Sequence, residues 1–252
     1  MISAIYFTVI LLSIIITASA HSQFHFEVKR SSKDIDTQKE LFKNANVKFA
    51  IITDNSGFDE KISFDREGKI LERMSYQTGD EEAFDGRDIY EYDNKGNLIL
   101  IRSECGDCTG SEKFFDYDEN GNVIKFRFMS NEEIFFYNSD NELVSSETIE
   151  KSTIAPIESV KYQKGLIVEI IFKCWDENLY TPFIYSKVKY TFSGEQRVTE
   201  ILNVKMNCKT EIEEVASEIT IEYNEKSLPT KYVTTHSNGD EKTSNVSYKY
   251  YN

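Results

Sequence analysis

Two stretches of this chain match almost residue for residue and decide the fold: Ile89–Ile99 (IYEYDNKGNLI) and Phe115–Ile124 (FDYDENGNVI). Each stretch reads as a strand that ends in Tyr-Asp, then a short polar turn with Gly-Asn, then an aliphatic strand. An Asp after a strand accepts a hydrogen bond from the backbone two residues on, and Gly supplies the positive φ that a tight turn needs. Each stretch therefore predicts a β-hairpin.

The same unit recurs along most of the chain, with weaker copies before and after these two. Its key aromatic residues are Phe64, Tyr92, Tyr117, Tyr137, Tyr162, Phe192 and Tyr223, spaced 28, 25, 20, 25, 30 and 31 residues apart. Tyr248–Asn252 predicts the first strand of an eighth unit. The spacing is typical of one repeated supersecondary unit with outer loops of variable length.

Side chains on both sides of the turns alternate with period two, which is typical of a sheet with one buried face. After the second turn, for example, Ile124, Phe126 and Phe128 alternate with Lys125 and Arg127. One hairpin alone is marginal in water, so neighbouring units must stack. We therefore predict an all-β fold: an elongated, twisted antiparallel sheet of about seven to eight stacked hairpins.

The repeat resembles the YD-repeat (RHS-like) family of secreted bacterial proteins. The resemblance rests on Tyr92-Asp93 with Gly96-Asn97 and on Tyr117-Asp118 with Gly121-Asn122, and it covers roughly residues 58–252. It implies a sheet that lengthens by one hairpin per repeat. Large members wrap into shells around a toxic cargo, but this chain has far fewer copies and no recognisable core-processing or effector segment. The resemblance thus favours a short, free-standing repeat protein without a toxin domain.

The N-terminal residues predict export. Ile2–Thr17 is uncharged and mostly apolar, and Ala18-Ser19-Ala20 has the small-x-small pattern of a signal peptidase site. We predict cleavage after Ala20; a retained anchor is the alternative, because no Lys or Arg precedes the apolar stretch. No later segment reaches the ~18 apolar residues needed to span a bilayer. The expected location is periplasmic, cell-surface or secreted, with no membrane span after cleavage.

A short helix is predicted ahead of the repeats, over Ser31–Asn44. Ile35, Leu41 and Phe42 share its apolar side, and we expect it to plug one open end of the sheet. Val47–Thr53 then predicts the first strand. The predicted organisation is a signal peptide at 1–20, an N-terminal segment with the helix at 21–45, and the repeat domain at 46–252.

The net charge and the motifs of the sequence argue against several classes of function. The 43 acidic and 29 basic residues give a net charge of -14, which disfavours nucleic acid as a partner. No nucleophile stands beside a base, so we predict no catalytic residue, no cofactor and no enzyme activity. The segment from Asp116 to Gly121 matches the opening of a calcium loop, but Arg127 stands where a bidentate Glu is required. We therefore interpret it as a hairpin turn and predict no metal site.

The four cysteines are candidates for disulfides, which persist after export. Cys105 and Cys108 form a Cys-Gly-Asp-Cys stretch with no following helix to lower a thiol pKa, so a structural disulfide or free loop thiols are favoured over redox catalysis. Cys174 and Cys208 each alternate in phase with apolar residues of their strand, Leu202 in the case of Cys208, and so are expected on the apolar face. They predict either a cross-repeat disulfide or two buried reduced thiols.

These features favour an exported, non-enzymatic binding or scaffold protein that presents a Tyr-rich sheet and its loops to an unknown protein or glycan. The candidate loops are Ser103–Ser111, Trp175–Phe183 and His236–Lys242. Trp175 and Tyr180 are the candidate binding pair, with a core or edge role as the alternative for each. One alternative function is an exported immunity-type or inhibitor protein in a stoichiometric complex with a toxin or envelope enzyme. A more remote one is a hydrolase with an unrecognised site.

Overall fold

The computed structural model describes residues 32–54, 58–105, 110–149, 156–163, 166–172, 185–193, 198–207 and 212–252. Within these ranges the chain forms one helix, α1 (Ser32–Ala45), and one antiparallel sheet of 16 strands. The strands are β1 (Val47–Asp54), β2 (Phe58–Phe64), β3 (Ile70–Gln77), β4 (Asp80–Tyr92), β5 (Leu98–Cys105), β6 (Ser111–Tyr117), β7 (Val123–Phe128), β8 (Asn131–Tyr137), β9 (Leu143–Ile149), β10 (Ile157–Gln163), β11 (Leu166–Phe172), β12 (Tyr185–Phe192), β13 (Val198–Asn207), β14 (Ile212–Tyr223), β15 (Pro229–His236) and β16 (Glu241–Tyr250). The prediction of an all-β repeat fold is confirmed.

The turns form for the reason that the sequence indicates. Asp93 Oδ1 accepts hydrogen bonds from the backbone N–H of Lys95 at 2.9 Å and of Asn97 at 2.8 Å. Gly96 has a φ of 91°, a left-handed conformation that glycine adopts without strain. The same pair of carboxylate or amide bonds forms at Asp118, Asn138 and Asn224.

A β-bulge follows each of these turns and corrects one prediction. Tyr117 lies opposite Val123 while Asp116 lies opposite Lys125, so Ile124 has no residue opposite it. Ile124 and Lys125 therefore both face outward, and Ile124 is 37% exposed. The prediction that Ile124 shares the buried face of Phe126 is wrong, because the bulge interrupts the alternation by one residue.

The two terminal strands of the described chain complete the eighth unit. β16 pairs with β1, and Ile52 lies opposite Val246. Beyond this ladder the Tyr251 N–H donates to the Asn46 carbonyl at 2.9 Å, in the position of the backbone bond that closes each regular turn. The predicted first strand of an eighth unit is thus β16, and its second strand is β1.

The opposite extremes of the strand order, β9 and β10, lie side by side, so the sheet curls into a nearly closed barrel. In the described part of the chain these two strands form no backbone ladder with each other. They are joined instead by a bond from the Ile157 N–H to Ser146 Oγ at 2.7 Å and one from the Tyr162 hydroxyl to the Leu143 carbonyl at 3.2 Å. We call this boundary the seam and the curled sheet the ring.

Apolar residues on the inner face fill the ring. Ile101 on β5 and Ile201 on β13 are both fully buried and belong to one hydrophobic cluster. Because these strands stand eight positions apart in the strand order, the two walls must pack against each other to exclude water there.

Helix α1 confirms the predicted helix over the described residues from Ser32 onward, ends at Ala45 and lies against the first regular turn. The rings of Phe42 and Phe64 are 4.0 Å apart between centroids, and both side chains are buried. Gly68 has a φ of +79°, and a Cβ there would overlap the backbone of Lys39, so only glycine allows the helix this position. Within the described residues, no helix is long and apolar enough to cross a membrane.

Candidate binding surface at the loop end

The two ends of the ring differ because antiparallel strands place alternate connections at opposite ends. The Asp- and Asn-containing turns that follow even-numbered strands all lie at one end with α1, which we call the turn end. The connections that follow odd-numbered strands lie at the other end, the loop end. The candidate loops join β5 to β6, β11 to β12 and β15 to β16, and the described strand ends that bound them all lie at the loop end.

A set of tyrosine hydroxyl bonds runs around the turn end. In each, the key tyrosine of one hairpin donates to the carbonyl of the first residue in the second strand of the preceding hairpin. The donor and acceptor pairs are Tyr92–Ile70, Tyr117–Leu98, Tyr137–Val123, Tyr162–Leu143, Tyr223–Val198 and Tyr248–Pro229, at 2.7 to 3.2 Å. Burial raises the pKa of Tyr92 and of Tyr117, which keeps both hydroxyls protonated and able to donate. Phe64 and Phe192 hold the same place in the remaining two hairpins.

Around most of the ring the inner face changes from apolar to polar toward the loop end, but on β10 and β11 the buried Ile157 and Phe172 keep it apolar there. Cross-strand partners of an antiparallel pair share a face, so the register assigns the inner residues. The polar ones near the loop end are Asp54, Glu60, Arg73, Asp88, Ser103, Ser111, Lys113, Asn131, Glu133, Asn203, Ser217, Thr234, His236 and Lys242. We call this set the inner polar surface. It lies between the apolar core and the candidate loops.

Two ion pairs organise the part of this surface on β1 to β3 and β16. Arg73 Nη2 lies 2.7 Å from Glu60 Oε1, and both side chains are largely buried. Lys242 Nζ lies 2.6 Å from Asp54 Oδ2 and links β16 to β1 at the loop end. Asp88 stands opposite Arg73 in the β3–β4 register. The cluster therefore holds both signs of charge close together inside the ring.

The pKa shifts follow from this burial. Burial raises the pKa of Glu60, and the adjacent Arg73 only partly opposes the rise. Burial alone would lower the pKa of Arg73, but the Glu60 carboxylate, together with Tyr90 and Asp88, raises it. Glu60 Oε2 is buried and has no hydrogen-bond partner among the described residues. It is therefore a buried acceptor for which the described part of the chain supplies no donor.

The calcium-loop resemblance is accounted for by the hairpin itself. Asp118 uses its carboxylate to accept backbone and side-chain bonds within its own turn, and Asp116 pairs with Arg127 at 3.1 Å. In the described part of the chain, no three His, Cys, Asp or Glu side chains come together in a way that could hold a metal ion.

Of the predicted site residues, the structure describes Cys105. It ends β5 opposite Gly86 and takes part in a disulfide bond. The residues Cys108, Cys174, Trp175, Tyr180 and Cys208 lie outside the described ranges, so the cysteine pairing and the aromatic pair stay predictions.

The prediction that Leu202 lies on the apolar face, in phase with Cys208, is wrong. Leu202 lies opposite Lys189 and Glu218 on the outer face, whereas the adjacent Ile201 is the buried residue. The register shift beside Asn203 and Val204 leaves Ala216 without a residue opposite it, so the extra residue of this bulge belongs to β14.

Glu60, Arg73 and Lys242 are polar residues that sequence reasoning missed. The signal was present for Glu60, which stands two residues before the buried Ile62 and so in phase with the core face. The alternation instead predicts that the Asp and Glu side chains lie in turns or face outward. Arg73 was missed because the bulge after Ile70 shifts the alternation along β3 by one residue, which turns Arg73 to the inner face.

Comparisons with known proteins find solved structures of low sequence identity. No protein-family model matches the chain, and no curated protein sequence matches it. The crystal structure of TcdB2-TccC3 without its hypervariable C-terminal region is similar over 74% of this chain and 9% of that chain, at 12% identity and a TM-score of 0.36. A porin-like protein from Bacteroides uniformis is similar over 81% of this chain and 98% of that chain, at 11% identity and a TM-score of 0.43. Both comparisons concern β architecture alone.

Proposed function

We propose that this chain is an exported, non-enzymatic binding or scaffold protein that engages its partner at the loop end. The observation that carries the proposal is the change of the inner face from apolar to polar toward the strand ends that bound two of the candidate loops, between β5 and β6 and between β15 and β16. The turn end, by contrast, carries uniform turns, the tyrosine bonds and α1. Polar groups that converge beside variable loops on a rigid sheet are the usual setting of a binding site.

The chemistry of the inner polar surface supports binding over catalysis. Arg73 and Lys242 are engaged by Glu60 and Asp54, so the charged groups neutralise one another. The half-buried serine and threonine hydroxyls of the same surface, at Ser103, Ser111 and Thr234, supply hydrogen-bond acceptors and donors. Such a surface suits a protein loop or a glycan, both of which present many hydrogen-bonding groups.

A relationship to YD-repeat proteins is part of the same proposal. It is supported by the recurrence of one unit: a key aromatic residue, an Asp or Asn that accepts two backbone bonds, and an outward bulge. A small protein built from such units would serve as a rigid support for its loops, since backbone pairing ties neighbouring hairpins together at every boundary of the described ring except the seam.

The test is to express residues 21–252 in an oxidising compartment and to capture envelope and surface components with the purified protein. Trp175→Ala and Tyr180→Ala change the loop end, and Lys95→Ala, an exposed residue of a regular turn, is the matched control at the turn end. Mass spectrometry and sugar analysis then identify what is retained.

A partner that is lost with Trp175→Ala or Tyr180→Ala and kept with Lys95→Ala supports the proposal. If that partner is one protein held in fixed stoichiometry and its own activity is inhibited, the immunity-type alternative is favoured. Retention of polysaccharide alone favours glycan binding. Capture that is insensitive to the loop-end variants but abolished by Lys95→Ala would contradict a loop-end site.

A further inference from the structure

The identity of the bulge residue that follows a turn differs around the ring, in which we call β3 to β9 the first half and β10 to β16 the second. It is aliphatic on β3, β5, β7 and β9, and also on β11, where Val168 is half-buried, whereas it is threonine on β13 and β15 and Lys48 on β1. The aliphatic residues of the first half are Leu71, Ile99, Ile124 and Val144, and the threonines of the second are Thr199 and Thr230. The fold therefore accepts a polar residue at this position.

The threonines use their hydroxyls within the sheet. Thr199 Oγ1 donates to the Thr191 carbonyl at 3.4 Å, and Thr230 Oγ1 donates to the Glu222 carbonyl at 3.3 Å. The aliphatic residues in the first half cannot form such a bond, and 37 to 46% of each residue's surface stays exposed. Their apolar character is consequently not explained by the packing of the ring.

Phe114 on β6 and Phe136 on β8 add aromatic rings to the same outer surface. Each alternates along its strand with a buried neighbour, Phe115 or Phe135, and so faces outward. We call the following six residues the apolar band. Its members are Leu71, Ile99, Phe114, Ile124, Phe136 and Val144, each 37 to 46% exposed.

The charged residues around the apolar band are mainly arginines. Arg102 pairs with Glu112 at 3.1 Å, and the Arg127 guanidinium lies 5.5 Å from the centre of the Phe114 ring. On the opposite half the outer cations are lysines, as in the pair Lys187–Glu213. Arginine and aromatic residues are enriched at protein interfaces and lysine is depleted there. The composition therefore favours a protein on the apolar band.

We propose that the apolar band is the interface of a homodimer, covered by a second copy of this chain. The exposed parts of the six side chains amount to on the order of 450 Å² of apolar surface. One side of a standard interface buries about 800 Å², of which a little over half is apolar. The exposed apolar area of the band is thus comparable to the apolar part of one side of such an interface.

Charge also fits a second copy. The chain carries a net charge of -14, so copies repel one another over most orientations. Beside the apolar band, however, cations and anions alternate between strands, as in Arg102 with Glu112 and Arg127 with Asp116. Under a two-fold axis the arginines of one copy can oppose the carboxylates of the other. This inference is independent of the loop-end proposal, since the apolar band lies on the outer surface beside the turns.

The experiment is sedimentation equilibrium of residues 21–252 over a range of concentrations. The test variant is Ile99→Thr with Ile124→Thr, which introduces the residue that the ring already uses at Thr199 and Thr230. We expect the native protein to dimerise and the variant to dimerise at least tenfold more weakly, with an unchanged circular dichroism spectrum. Phe114→Glu, which leaves the bulges intact, is a second variant with the same expected loss.

The matched control is Thr199→Ile with Thr230→Ile, which makes the equivalent change on the opposite half and should leave the dimer constant unaltered. A native protein that is monomeric at all concentrations would overturn the proposal. A dimer whose dissociation constant is unchanged in both test variants would also overturn it. So would a dimer that Thr199→Ile with Thr230→Ile strengthens by the same factor by which the test variant weakens it.

Discussion

The hydroxyl of Tyr162 donates to the carbonyl of Leu143 across the seam, the boundary in the described ring where neighbouring strands lack a backbone ladder. Between fully paired strands the equivalent bond from Tyr117 to Leu98 is 2.8 Å, and at the seam it is 3.2 Å. The aromatic repeat therefore continues around the ring where backbone pairing is interrupted. This arrangement makes the seam depend on side chains to a degree that other boundaries do not.

Replacement of Tyr162 by Phe should weaken the seam selectively. The loss of one hydrogen bond costs about 1 kcal/mol of unfolding free energy, and Tyr117→Phe should cost a similar amount. Only Tyr162→Phe should also speed amide hydrogen exchange in β9 and β10, because no backbone ladder holds these strands together. Phe64 and Phe192 show that a Phe ring fits the position. Equal exchange rates in both variants would mean that the seam does not depend on this bond.

Replacement of Gly68 or Gly239 by Ala tests whether α1 rests on the turn at Gly68. Both have a positive φ, of 79° and 87°, so replacement by Ala strains the backbone by about 1 kcal/mol at each. At Gly239 a Cβ meets no atom within 4 Å, whereas at Gly68 it overlaps the backbone of Lys39. We expect Gly68→Ala to cost on the order of 3 kcal/mol or more, measured by urea unfolding. A similar cost for both would show that α1 does not rest on the turn.

The ion pair between Arg73 and Glu60 predicts strong coupling between two substitutions. Arg73→Met leaves the Glu60 carboxylate without its closest cation inside the ring, which should cost about 3 to 5 kcal/mol. The double variant Arg73→Met with Glu60→Leu removes both charges and should recover most of this loss. A double-mutant cycle in urea supplies the coupling. Additive single effects would mean that the two groups are solvated separately and that the inner polar surface is open to water there.

Asp93 predicts a specific pH dependence of stability. Burial would raise its pKa, but bonds from Asn97, Lys95 and Gly96 hold the pKa below its ordinary value of 3.8. A carboxylate with a lowered pKa in the folded state stabilises the fold above its unfolded pKa, and this stability is lost as the pH falls through the folded value.

The Asp93→Asn variant keeps an acceptor in the turn, as Asn138 and Asn224 do in theirs. The native protein should exceed the variant in unfolding free energy at pH 7, and the difference should shrink as the pH falls from about 5 to below 3. Chemical denaturation at several pH values measures this difference. The exposed Glu119→Gln serves as the control. A difference that stays constant with pH would exclude a stabilising role for the Asp93 charge.

Much of this fold could be predicted because its determinants are local. The pattern of Tyr, Asp and Gly at residues 92–96 encodes a turn by itself, and the period-two alternation encodes the strands around it. The bulge at Ile124 was not predicted, since alternation alone assigns every second residue to one face. The extra residue is visible only in the register between β6 and β7.

The closure of the ring and the inner polar surface could not be predicted, because both depend on pairing between distant parts of the sequence. The pairing of Ile52 with Val246 joins residues at opposite ends of the described chain, and no short-range signal encodes it. The position of Glu60 beside Arg73 likewise depends on the pairing of β2 with β3, because each residue alone resembles the many outward charges of the sheet. The candidate loops were identified singly, and their common location at the loop end follows only from the strand order.

A disulfide between Thr53→Cys and Asn245→Cys tests the closure of the ring most directly. These residues lie opposite each other in β1 and β16, at a separation that a disulfide spans. Thr53→Cys with Lys231→Cys is the control, because Lys231 lies one strand further away, at about 9 to 10 Å. After oxidation, peptide mass mapping of the monomer should show the 53–245 link in high yield and almost none between 53 and 231. Absence of the 53–245 link, or equal yields for both pairs, would contradict a ring closed by its terminal strands.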